Sequence, residues 1–136
     1  MLDVKKLFTK ILTAIKDTGW TDVTLTSDFT TYSTATPPVN VLRYRKIGKL
    51  VELNGAIKPT RAITGGGDSV TIGTLPTGYR PSSSVQAICQ GSSRAVWLLV
   101  IGTGGGVTFS RYRDETGYVD TTNGTWLPIH VTFMID

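Results

Sequence analysis

The sequence predicts an all-β protein: a β-sandwich or jelly-roll-like head preceded by one short N-terminal amphipathic helix. Three observations carry that prediction. Threonine fills 22 of the 136 positions and glycine 15, while Glu, a strong helix former, occurs only at Glu52 and Glu115; this mixture favours strands and turns. Beyond Gly19 the apolar residues recur with period two in short runs, as strands with one buried face require. Gly- and Pro-rich turn signals separate those runs, and seven to nine short strands so spaced make a sandwich. A chain of 14.7 kDa fits one such domain, which divides the sequence into a helix at 1–18 and a head at 19–136.

Residues 2–16 form the one convincing helix. Met1, Val4, Phe8, Ile11 and Ile15 alternate spacings of three and four, the seam of a heptad. Leu7, Leu12 and Ala14 widen that stripe, and Asp17-Thr18-Gly19 supplies a stop. A helix of this length, about 22 Å, is marginal in water, so its stripe must pack against something. That something is either the chain's own sheet or copies of itself.

Trp20 follows the stop and is placed to pack the helix onto the first strand, where Val23 and Leu25 alternate with Thr24 and Thr26. Phe29 and Tyr32 lead into a Thr-rich loop ending at Pro37-Pro38. Residues 41–47 and 50–57 read as a hairpin whose Gly48-Lys49 pair suits a type II′ turn. Gly65-Gly66-Gly67-Asp68 joins Ile63 to the strand at 70–72, and two prolines make 75–84 a loop. Residues 85–90 and 94–101 are strands, the second apolar enough for burial on both faces. Within them Trp97 reads as core and Cys89 as a buried, inert thiol. The glycines at 102 and 104–106 turn the chain into 107–113. A polar tip at 114–125 then precedes Trp126-Leu127 and the last strand at 129–135.

Charge and residue inventory exclude much. The net charge of +4 is concentrated in Lys5, Lys6, Lys10 and Lys16 and in Arg43, Arg45, Lys46 and Lys49. No aromatic-basic recognition module accompanies them, and Arg43 and Arg45 alternate as outward strand positions do, so solvated faces are expected and nucleic acid is not. No stretch approaches the ~20 apolar residues that span a membrane, so no membrane insertion is expected. Lys10 and Lys16 interrupt any signal-peptide core, which implies synthesis in a cytoplasm without export. One His and one Cys leave no zinc site, disulfide or Cys-His pair; no metal and no cofactor is expected. The loop at 102–106 leads into a β-type run, whereas a dinucleotide loop must open a helix. A Ser-His-Asp arrangement would need His130, which alternates away from the apolar face of the last strand, and nothing pairs Glu52, Asp114, Glu115 or Asp120 for glycoside hydrolysis. No catalytic residue is predicted.

Glycan binding asks for less: an exposed aromatic ring for the sugar's C–H face, flanked by groups that bond its hydroxyls. Residues 111–120, with Trp126 nearby, offer that mixture at one loop tip. The candidate ligand-binding residues are therefore Tyr112, Asp114, Tyr118 and Trp126. The alternative for Tyr112 and Trp126 is partial burial as strand residues.

Residues 44–55, Tyr-Arg-Lys-Ile-Gly-Lys-Leu-Val-Glu-Leu-Asn-Gly, followed by residues 75–81, Leu-Pro-Thr-Gly-Tyr-Arg-Pro, carry a resemblance. The chain from about residue 20 to 136 resembles the C-terminal head domain of bacteriophage and prophage tail fibre, baseplate and receptor-binding proteins. The resemblance implies a non-enzymatic β-sandwich head in a virion tail, assembled as a homotrimer, attached to a host cell-surface glycan and in contact with other phage tail or baseplate proteins. It also implies a use for the helix, with Val4, Phe8, Ile11 and Ile15 packed about a threefold axis and a weak sugar site repeated for avidity. Two other readings stay open: a purely structural tail or baseplate component, and a monomeric carbohydrate-binding module.

Overall fold

A computed structural model describes residues 3–136. The helix α1 runs Val4–Ala14, with Asp3 as its N-cap accepting from the Lys6 amide at 3.1 Å. Met1 and Leu2, part of the expected helix, lie outside the described residues. The helix ends earlier than the expected residue 16 because the next residues are recruited by strand hydrogen bonds. Asp17 bridges Ile47, the Thr18 amide donates to the Lys46 carbonyl at 2.9 Å, and the Gly48 amide donates to the Lys16 carbonyl at 3.3 Å.

This clamp holds α1 at the end of the sandwich, and no residue of the helix is buried. Phe8 is 61% exposed and Ile15 62%. Of the two packings left open for the stripe, docking on the chain's own sheet does not occur among the described residues. Trp20 does not pack the helix either. Its ring lies beside two guanidinium groups, Arg45 at 4.5 Å and Arg43 at 5.2 Å from the centroid.

Among the described residues, ten strands build two antiparallel five-stranded sheets. In the first, β1 (Thr21–Asp22), β3 (Arg43–Ile47), β4 (Leu50–Pro59) and β10 (Leu127–Met134) lie in that order, and β2 (Phe29–Thr31) also pairs with β4. In the second, the order is β5 (Val70–Thr74), β8 (Gly106–Asp114), β7 (Val96–Ile101) and β6 (Val85–Gln90), with β9 (Gly117–Tyr118) on β8. The first strand is shorter than the alternation at 23–26 suggests. The Val23 amide donates to the carbonyl of Leu42, just before β3 of the first sheet, at 2.8 Å, while the Thr26 amide donates to that of Ile72 in the second at 2.9 Å. A segment that crosses between sheets cannot remain in either ladder. The expectation that β7 is buried on both faces is also corrected: Trp97, Leu99 and Ile101 are buried, whereas Val96, Leu98 and Val100 are half-buried.

One core fills the sandwich. Val51, Leu53, Ile57 and Ile129 of the first sheet meet Ile72, Trp97, Leu99 and Phe109 of the second. Phe109 packs at 5.1 Å from Trp97 and 6.0 Å from Phe29, and the Trp97 indole donates to the Gln90 carbonyl at 2.8 Å. Cys89 sits at the edge of this core, where burial pushes its thiol up to about 11. At pH 8 only about one thiol in a thousand is then thiolate. A colorimetric thiol reagent is expected to react with native protein far more slowly than with unfolded protein, and equal rates would contradict this burial.

The two halves of the phage-like signature touch. Tyr79, in the loop after β5, packs edge-on against Tyr44 of β3 at 4.9 Å. Lys46 reaches over the same ring at 4.8 Å and its ammonium donates to the Gly78 carbonyl at 2.9 Å. Arg80 turns back to the carbonyl of fully buried Leu75 at 2.8 Å. Gly48 has φ +60 and Lys49 does not share it, as the type II′ turn requires. These contacts close the end of the sandwich that carries α1. The ten residues of β4 then run about 33 Å from the Gly48 turn to the opposite end.

Candidate functional site

At that opposite end, residues 60–68, the turn at 91–95 and the segment 114–125 converge. Thr121, a buried polar residue, bonds Ile63 twice: its amide to the Ile63 carbonyl at 2.9 Å, and the Ile63 amide to its hydroxyl at 2.9 Å. The Gly65 amide donates to Asp120 Oδ1 at 3.2 Å, and the Trp126 amide to Ser92 Oγ at 2.7 Å.

The tip is shaped by an irregularity in β8. Arg111 has φ +57, and the β7–β8 register shifts between Val96 and Leu98. The extra residue of such a bulge changes which side chains turn inward. Tyr112 is accordingly 5% exposed and lies 6.1 Å from Phe109, a buried strand residue whose rim reaches the surface.

That rim lines a cleft of about 360 Å³ with Asp114, Glu115, Asp120, Arg94 and Thr125. Arg94 and Glu115 pair across it at 2.8 Å. The Thr116 hydroxyl and amide both donate to Asp114 Oδ1, at 2.5 and 2.8 Å, and hold its carboxyl below the ordinary range. Asp114 is therefore an ionised acceptor and not an acid. Burial raises the Tyr112 phenol, which stays protonated. Three carboxylates against one guanidinium make the cleft an acceptor-rich surface, suited to the O–H donors of a neutral polyol.

The structure thus brings Tyr112 and Asp114 together. Trp126, 38% exposed, stands beside them through its amide bond to Ser92, which also lines the cleft. Tyr118 is 59% exposed and belongs elsewhere, in a shallow pocket of about 170 Å³ with Ile88, Leu98, Arg111 and Arg113. Arg94 and Ser92 lie outside the candidate ligand-binding set that the sequence suggests, and Glu115 falls within its 111–120 segment without being one of the four named residues. Arg94 and Glu115 lie on different turns, 21 positions apart, so no local motif announces the pair. His130 stands on the first sheet, exposed, with its Nε2 3.5 Å from Glu52 Oε2.

No protein-family model and no curated protein sequence matches the chain. Solved structures do. The head domain of lactococcal phage bIL170 superposes with a TM-score of 0.61 at 15% identity, over 87% of this chain and 98% of that one. The receptor binding protein gp15 of Listeria phage PSA superposes with a TM-score of 0.58 at 17% identity, over 95% of this chain and 72% of that one. At these identities the likeness is one of fold, and the fold is that of phage receptor-binding heads.

Proposed function

We propose that the chain is the receptor-binding head of a bacteriophage tail, which attaches to a host-surface saccharide without turning it over and is carried as a homotrimer on its N-terminal helices. The observation that carries this reading is polarity. The exposed helix leaves one end of the sandwich and the acceptor-rich cleft opens at the other, as attachment to a tail on one side and to a cell on the other demands. The likeness of fold to two phage heads supports it. In the assembly α1 packs about the threefold axis through Val4, Phe8, Ile11 and Ile15, and the tail or baseplate proteins meet the helix end.

The test is adhesion of fluorescently labelled protein to panels of Lactococcus and Listeria cells, with purified cell-wall polysaccharide as competitor. Trp126→Ala and Arg94→Ala change exposed side chains and are expected to reduce adhesion about tenfold each with the unfolding midpoint preserved. Adhesion that neither variant alters would refute this cleft. Absence of adhesion on every strain would favour a purely structural tail component.

A further inference from the structure

A second cleft, of about 460 Å³, adjoins the first across Gly124, which lines both. It lies on the first sheet beneath the loop that joins β2 to β3. That loop is pinned to β4 at both ends, by the Tyr32 amide on the Ala56 carbonyl at 3.0 Å and the Ala56 amide on the Asn40 carbonyl at 2.9 Å. Ser33 Oγ closes it, accepting from the Ala35 amide at 3.2 Å and the Val39 amide at 3.0 Å. The cleft wall is neutral, mixing hydrogen-bonding groups (Tyr32, Ser33, Thr34, Asn40) with apolar Ala35 and Val39, and has one charged member, Lys58 of β4. Among the described residues Lys58 takes part in no ion pair.

The two neighbouring clefts therefore have opposite character. One presents Asp114, Glu115 and Asp120 against Arg94; the other presents a lone ammonium among hydroxyl, amide and apolar groups. We propose that the second cleft binds an anionic substituent, phosphate or carboxylate, of the saccharide whose hydroxyl-rich part occupies the first, with Lys58 holding the charge. This rests on the saccharide-attachment reading and adds a direction to it. The carboxylates of the first cleft repel the substituent that Lys58 attracts, so the ligand lies across Gly124 in one orientation only.

The experiment titrates the full chain by calorimetry with glucose, glucuronate and glucose 1-phosphate. Both charged sugars are expected to bind about tenfold more tightly than glucose in low salt, and the advantage should shrink as salt is raised. Lys58→Gln should erase that advantage and leave glucose binding as it was, while Lys58→Arg should retain it. Equal affinity for the three sugars, or an advantage that survives Lys58→Gln, overturns the proposal. A preference for only one charged sugar identifies the substituent and upholds it. Cell adhesion separates the two levels of inference: adhesion equal in wild type and Lys58→Gln refutes the role of Lys58 and leaves attachment standing. Adhesion absent from both refutes attachment itself.

Discussion

Gly65→Val is expected to lower the unfolding midpoint by about 10 °C, from a loss of about 3 kcal/mol in a domain of this size. The cause is backbone packing. A Cβ on Gly65 would stand 2.0 Å from the Val119 carbonyl oxygen and 2.7 Å from that of Tyr112. Neither oxygen belongs to a side chain that can swing aside. The Tyr112 carbonyl accepts from the Val119 amide at 3.2 Å, and Thr121 is tied to Ile63 on either side of the same contact. Relief requires the segment after β9 to lift off the 60–68 loop, which also breaks the Gly65–Asp120 hydrogen bond. Asp120 is a wall of the acidic cleft, so saccharide binding should fall with stability. Gly124→Ala is the control at the same tip: its Cβ meets nothing within 4 Å, and its effect should stay within about 0.5 kcal/mol. Thermal unfolding of both variants decides the matter, and a Gly65→Val midpoint within about 2 °C of wild type would contradict the close approach.

That contact illustrates what a linear reading of this chain can and cannot supply. The strands at 43–47, 50–59, 85–90 and 127–134 are legible because alternation is a property of neighbours in sequence. The Gly48 turn is legible for the same reason. Burial of Tyr112 is among the readings the sequence offers, but the reason for its inward turn is not legible there. It depends on a bulge at Arg111, and no glycine marks that left-handed position. The short β1 and the crossing of residues 23–26 depend on Leu42 and Ile72, which lie far along the chain. The cleft fails to announce itself in the same way, since Arg94, Glu115 and Asp120 come from separate turns that only the closed sandwich brings together. The signature at 44–55 and 75–81 is the instructive intermediate case. Its halves are conspicuous in sequence, but their reason, Tyr79 seated between Tyr44 and Lys46, is a contact between a strand and a loop more than thirty positions apart.

The helix reverses that situation, because its pattern is plain in sequence and yet, among the described residues, none of its apolar side chains is buried. Phe8→Asp combined with Ile11→Asp is expected to convert the protein from three times its 14.7 kDa chain mass to a single chain, measured by light scattering on a sizing column. Two aspartates at seam positions place charge where three apolar stripes would meet, and a buried unpaired carboxylate is not tolerated there. The head should be indifferent to the change. No residue of α1 is buried, so the unfolding midpoint of the β-sandwich should hold while the helical circular-dichroism signal falls, eleven residues being too few to stay helical alone. Adhesion to cells should weaken by about 10²–10⁴-fold although every cleft is intact, since one weak site has lost the effective concentration supplied by its two neighbours. The three readouts discriminate between models. A wild-type chain that runs at 14.7 kDa excludes the trimer and leaves a monomeric binding module. A wild-type trimer that survives both aspartates locates the threefold contact on the head instead, where the half-buried outer face of β7 and the exposed Ile88 beside it supply one further apolar surface.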